Sequence, residues 1–115
     1  MVKRKASYPT DYKERMRGGE GVVTIENLLT PGELYEKGRL FAKLTLVPGS
    51  SIGRHIHEGE MESFFIISGV AEFIDSGETV TLNPGDTTLT ISGEEHSIKC
   101  VGDKPLEMIA LILFK

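Results

Sequence analysis

The stretch GSSIGRHIHEGEMESFFIISG, running from Gly49 to Gly69, decides how the rest of the chain is read. Its first half holds His55 and His57. Two residues apart on an extended chain, their side chains leave the same face, where two imidazoles can reach one metal ion. Glu62 follows five residues on. The intervening EGEM contains Gly59 and is long enough for a hairpin, which would return Glu62 on the neighbouring strand beside the histidine pair. The third and last histidine, His96, opens another predicted strand. Three imidazole nitrogens and one carboxylate oxygen suit a divalent first-row metal, and on an octahedral ion they leave positions for a substrate or water.

Outward from that stretch the chain keeps one rhythm. Glycines at 49, 59, 69, 77, 85, 93 and 102 recur every eight to ten residues, mostly in turn-forming pairs such as Pro48-Gly49, Ser76-Gly77 and Pro84-Gly85. Short β-branched or aromatic runs lie between them, the pattern of an all-β antiparallel sandwich or barrel. The spacing predicts strands over 21–29, 38–47, 51–57, 62–67, 70–75, 78–82, 87–91, 96–101 and 106–114, with a connecting loop over 30–37. Residues 1–17 show no clear period beyond a weak helical turn around Tyr12 to Met16. They read as an N-terminal arm, ahead of a single barrel domain over 18–115. FFII (Phe64 to Ile67) and MIALILF (Met108 to Phe114) are apolar on both faces. One sheet packed behind them covers only one face; a homodimer is expected to cover the other, the alternative being that the N-terminal arm folds back over it.

Composition narrows the function. With 115 residues, 39% of them hydrophobic, the chain holds one domain of ordinary size. Its charge of −4 is uneven: residues 1–17 carry six Lys or Arg against two acids, and residues 18–115 carry seven against fifteen. An acidic body repels phosphate backbones, so no nucleic-acid partner is expected and the basic arm reads as a solvated terminus. The longest apolar run, Met108 to Phe114, is far short of the roughly 20 residues of a membrane-spanning helix. One cysteine and no secretory start point to the cytoplasm. Glu58 and Glu60 fall in the hairpin turn and read as solvated residues. Alternation from His96 turns Ile98 and Cys100 inward, Cys100 as a buried filler. On strand 38–47 alternation leaves open whether Phe41, Lys43 and Thr45 or Leu40, Ala42, Leu44 and Leu46 line the interior; an inward Lys43 would anchor an anion.

The spacing Gly49, five residues, His55, one, His57, four, Glu62, six, Gly69 resembles the first motif of the cupin family in every element. GDTTLTISGEEHSIKC is similar to the second motif: Gly85, Gly93 and His96 match, while Ile91 stands where the family usually has proline and Cys100 where it usually has asparagine. The resemblance covers residues 38–114, and MRGGEGVVTIENLL looks like the N-terminal strand region of small bacterial cupins described as oxalate-decarboxylase-like or sugar-phosphate-isomerase-like. It implies a single-domain double-stranded β-helix, or jelly-roll barrel. Inside it, His55, His57, Glu62 and His96 would hold a divalent transition metal (manganese, iron, nickel or zinc). The expected function is a metal-dependent enzyme acting on a small oxygenated molecule, by decarboxylation, oxidative cleavage or isomerisation. The alternative is a non-catalytic module that binds or senses a small ligand. Catalytic residues beyond the ligand set are not readable from the chain.

Overall fold

The computed structural model describes residues 1–115 and contains ten strands. These are β1 (Thr10–Glu14), β2 (Val22–Leu29), β3 (Gly38–Leu46), β4 (Ser51–Ile56), β5 (Glu60–Ser68), β6 (Ala71–Asp75), β7 (Glu78–Leu82), β8 (Thr87–Thr90), β9 (Glu95–Cys100) and β10 (Leu106–Phe114). They form two antiparallel sheets, one in the order β1-β2-β3-β10-β5-β8 and the other in the order β4-β9-β6-β7. From β3 onward the chain crosses between the sheets at every step except the β6–β7 hairpin, which gives the jelly-roll barrel. The turns that the glycine pairs mark fall between these strands, and the loop over 30–37 is a run of turns.

Between the sheets lie sixteen buried apolar residues, among them Leu44, Leu46, Phe64, Ile66, Phe73, Ile98 and Met108. At about 1.5–3 kcal/mol for each large side chain taken out of water, this layer is the main attraction between the sheets. The burial pattern settles the open face of β3. Ala42, Leu44 and Leu46 point inward and Leu40 packs against the core. Lys43 points outward and pairs with Glu107 at 2.5 Å. Cys100 is buried in the same layer, and its thiol donates to the Lys104 carbonyl at 3.2 Å.

Two local features depart from simple alternation. The arm contains a strand: β1 pairs with β2 from Thr10↔Glu26 to Glu14↔Val22, although all five of its residues are exposed. Backbone hydrogen bonds at the edge of the sheet hold it, so hydrophobic periodicity carries no trace of it. The helical turn expected around Tyr12 to Met16 is instead a short 3-10 turn at Met16–Gly18. In β4, a bulge lies between Ile52, opposite Ile98, and His55, opposite His96. One extra residue shifts the parity, so that buried Ile52 and His55 both face the interior.

Along β10, Leu106, Met108, Ala110 and Ile112 are buried while Ile109, Leu111 and Leu113 lie on the outer face. Beside them on β5, Phe65 and Ile67 are 45% and 42% exposed. β1 adds to the sheet edge next to β2, and Met1, Lys3 and Tyr8 of the arm line a pocket with Phe41, while Phe65 and Ile67 stay exposed.

Candidate metal centre

Three strands converge on one point. β4 and the residue after it supply His55 and His57, β5 supplies Glu62 and β9 supplies His96. His57 and His96 are 2% and 1% exposed. The three Nε2 atoms lie 3.2 Å (His55 to His57), 3.1 Å (His57 to His96) and 3.2 Å (His96 to His55) apart. Glu62 Oε1 lies 3.0 Å from His57 Nε2 and 3.1 Å from His96 Nε2. The sixth pair, His55 and Glu62, completes a set of ligand atoms all within 4.8 Å of one another. All four residues singled out in the sequence therefore meet.

The other ring nitrogens show what this cluster needs. His55 Nδ1 lies 2.7 Å from the Gly53 carbonyl and His57 Nδ1 lies 2.9 Å from Glu60 Oε1. A carbonyl and an ionised carboxylate only accept, so both Nδ1 atoms carry the proton and donate it. Both Nε2 atoms then present lone pairs to each other at 3.2 Å. His96 Nδ1 has the Thr90 hydroxyl at 2.8 Å, and Thr90 stands opposite Glu62 in the β5–β8 pairing. Converging lone pairs and a carboxylate repel unless a cation lies among them, and outer hydrogen bonds that fix each tautomer are the usual support of a metal-binding histidine. The donor set fits a divalent metal.

Proton affinities agree with this crowding. Burial pushes His55 below the ordinary histidine value, against its bond to Gly53, and the neighbouring charges of His96, His57 and Arg17 push the same way. The hydrogen bond with Glu62 raises His57, against burial, and Glu60 adds to the rise. For Glu62 burial acts upward, yet the contacts with His57 and His96 outweigh it and leave the carboxyl lowered. A proton can bridge one edge of the cluster; it cannot satisfy all of it.

Glu60 corrects the expectation of a solvated turn residue. It is the first residue of β5, and its carboxylate accepts from Arg39 Nε at 2.8 Å and Arg39 Nη2 at 2.7 Å as well as from His57. The Arg39 guanidinium chiefly holds its pKa down to about 2. Glu60 thus orients a candidate ligand. The signal available was an acid three residues beyond a histidine across a hairpin. Glu58 is exposed, as expected.

A cavity of about 180 Å³ opens over His55, His57 and Glu62. Its wall includes the apolar side chains of Ile25, Leu40, Leu44, Ile52 and Ile112, and its remaining charged residues are Lys13, Arg17 and Arg39. The sequence reading missed these three. The basic arm thus brings two exposed cations to the mouth of the barrel.

The two departures in the second motif are accommodated locally. Ile91 donates its backbone N–H to Glu94 Oε1 at 2.9 Å, closing the turn before β9 with a bond that a proline could not make. Cys100 fills the core as described above.

Comparison with known proteins gives one family. Residues 42–112 match the cupin domain model. The chain is 42% identical over 113 residues to a protein of Thermotoga maritima named oxalate-binding protein, covering 98% of this chain and 93% of that one. The crystal structure of a predicted oxalate decarboxylase from the same organism superposes with a TM-score of 0.96 at 42% identity, over the whole of both chains. KdgF from Halomonas shares the fold, with a TM-score of 0.69 at 15% identity over 91% of this chain and 89% of that one.

Proposed function

The chain belongs to the cupin family, and from that premise we propose that it binds a small carboxylate anion, oxalate in the first instance, at a divalent metal held by His55, His57, Glu62 and His96. The observation that carries this reading is the placement of that donor cluster at the floor of a cavity whose remaining charged lining is cationic: Lys13 and Arg17, which form no ion pair, and Arg39, whose charge Glu60 answers. The name of the Thermotoga relative, 42% identical along nearly its full length, supports the choice of oxalate. When bound, the metal supplies a Lewis acid for carboxylate oxygens. The protein's own part is to hold the donors at fixed spacing, to surround the ligand with apolar wall and to answer its charge.

Three imidazole nitrogens and one carboxylate oxygen would hold a divalent first-row ion such as manganese, iron, nickel or zinc.

Binding is favoured over turnover by the lining. Decarboxylation leaves a carbanion that must be protonated, and a positioned acid normally supplies that proton. Beyond the donor set the cavity is lined by three cationic and six apolar side chains, and the one general acid among them is Lys13, exposed at the mouth. The test is to load the protein with manganese, add oxalate, and follow bound oxalate, carbon dioxide and oxygen. One oxalate per chain and no carbon dioxide is expected. Carbon dioxide released in many-fold excess over protein would replace this reading with a metal-dependent decarboxylase or oxidase.

Two further elements belong to the proposal. A second copy of the chain covers the outer apolar face around Phe65, Ile67 and Leu111, and the lone buried Cys100 suits the reducing cytoplasm.

A further inference from the structure

We propose that Lys13 and Arg17 form the second half of the anion site and make it select dicarboxylates over monocarboxylates. The inference rests on the proposed carboxylate binding at the metal and deepens it by naming the ligand's charge and the residues that read it.

The charges around the cavity are unequal in what answers them. Arg39 is committed to Glu60 through two parallel hydrogen bonds of 2.8 and 2.7 Å, so that pair is neutral. Lys13 and Arg17 form no ion pair, although the chain carries 17 acids. A divalent ion with Glu62 leaves one positive charge, which a single carboxylate neutralises. Two cations at the mouth then remain unanswered. A second carboxylate on the same small ligand answers them, and a guanidinium is the side chain suited to take it through two N–H groups.

The backbone that carries Arg17 is held in place, and the side chain extends from it exposed at the cavity mouth. The φ of Arg17 is 56° and that of Arg15 is 47°, a left-handed conformation that non-glycine residues seldom adopt. The loop closes on itself through Arg15 N–H to the Gly21 carbonyl, Gly18 N–H to Arg15 and Gly19 N–H to Met16, each at 2.9 Å. Met16 packs against the core between the two arginines. Below the loop, Gly19 and Gly53 pass backbone to backbone: a Cβ on Gly53 would overlap the Arg17 carbonyl, and one on Gly19 would overlap that of Ser51. The Gly53 carbonyl is also the acceptor for His55 Nδ1. One residue therefore ties the backbone strap that carries Arg17 to the first metal ligand. A cavity of about 180 Å³ limits the ligand to a short one.

The test compares oxalate with glyoxylate, which has the same carbon skeleton and one charge fewer. Wild type, Arg17→Gln, Lys13→Gln and Arg17→Lys, each loaded with manganese, are titrated calorimetrically with both anions, and metal content is measured for each. Wild type is expected to prefer oxalate. Arg17→Gln should weaken oxalate about 10- to 100-fold, the effect of one lost charge-assisted contact, with a smaller loss for Lys13→Gln and partial recovery in Arg17→Lys. Glyoxylate affinity should move less than about threefold, and every variant should keep one metal per chain. Unchanged oxalate affinity in both Gln variants, or equal losses for oxalate and glyoxylate, would overturn the inference while leaving metal-dependent binding intact. A metal-loaded wild type that binds neither anion would overturn the proposed function itself.

Discussion

Replacing Glu60 with alanine probes the support of the metal site without touching a ligand. Its carboxylate takes three hydrogen bonds, two from Arg39 at 2.8 and 2.7 Å and one from His57 Nδ1 at 2.9 Å. His57 is 2% exposed and Glu60 is the partner of its Nδ1–H, and leaving such a donor unpaired costs about 1–3 kcal/mol. The ring is then free to turn or to place its proton on Nε2, the atom the metal needs. The loss expected in metal affinity is about 10- to 100-fold, matching the cost of removing a partner behind a ligand elsewhere. The assay is competition between the stripped protein and a chelator of known affinity, with Glu60→Gln and Glu58→Ala alongside. The glutamine retains an oxygen for His57 and should lose less; Glu58→Ala, on an exposed side chain, should match wild type. Metal affinity within about twofold of wild type for Glu60→Ala, or an equal loss for Glu58→Ala, would refute the assignment.

Acidity offers two checks. In the metal-free protein Glu60 has its carboxyl lowered from 4.5 to about 2, so its contribution to stability is complete above about pH 4.5 and is lost as pH falls toward 2. Melting temperature against pH should therefore fall more steeply over that window for wild type than for Glu60→Gln; parallel curves would contradict it. In the loaded protein, metal retention measured by dialysis should decline below about pH 6.5 as protons compete for the imidazoles, and a flat profile to pH 4 would count against three-histidine ligation. Gly53→Ala puts a methyl against the Arg17 carbonyl, and should weaken oxalate binding and lower the melting temperature together. Unchanged affinity would show that the strap and the site are independent. Leu111→Glu places a charge in the outer apolar face, beside Phe41 on β3, and should convert a dimer to a monomer by light scattering. A wild type that is already monomeric would dismiss the covering copy.

What was legible in the sequence follows from how each feature is encoded. Nine strands announced themselves because glycine pairs punctuate the chain between them and their apolar runs are short. The donor set was equally plain, since a histidine pair at strand spacing and an acid across a hairpin are local patterns. β1 escaped because TDYKE buries nothing; its order comes from pairing with β2, a contact no local period records. Glu60 escaped because its role depends on Arg39, 21 residues away in sequence, and on β5 beginning two residues earlier than expected. Lys13 and Arg17 read as terminal charge for a similar reason. The packing of Gly19 on Gly53, with Met16 against the core and Glu20 bonded to Ser51, brings that loop to the barrel mouth, and residues more than 30 positions apart carry no sign in the sequence that they touch.

The most direct measurement is a calorimetric titration of oxalate into two samples of the same wild-type protein, one stripped with chelator and one loaded with manganese. Binding of one oxalate per chain is predicted in the loaded sample and none in the stripped one, with binding restored when metal is returned. Equal binding in both samples would mean that the cationic cavity alone holds the anion, and would contradict a carboxylate site built on His55, His57, Glu62 and His96.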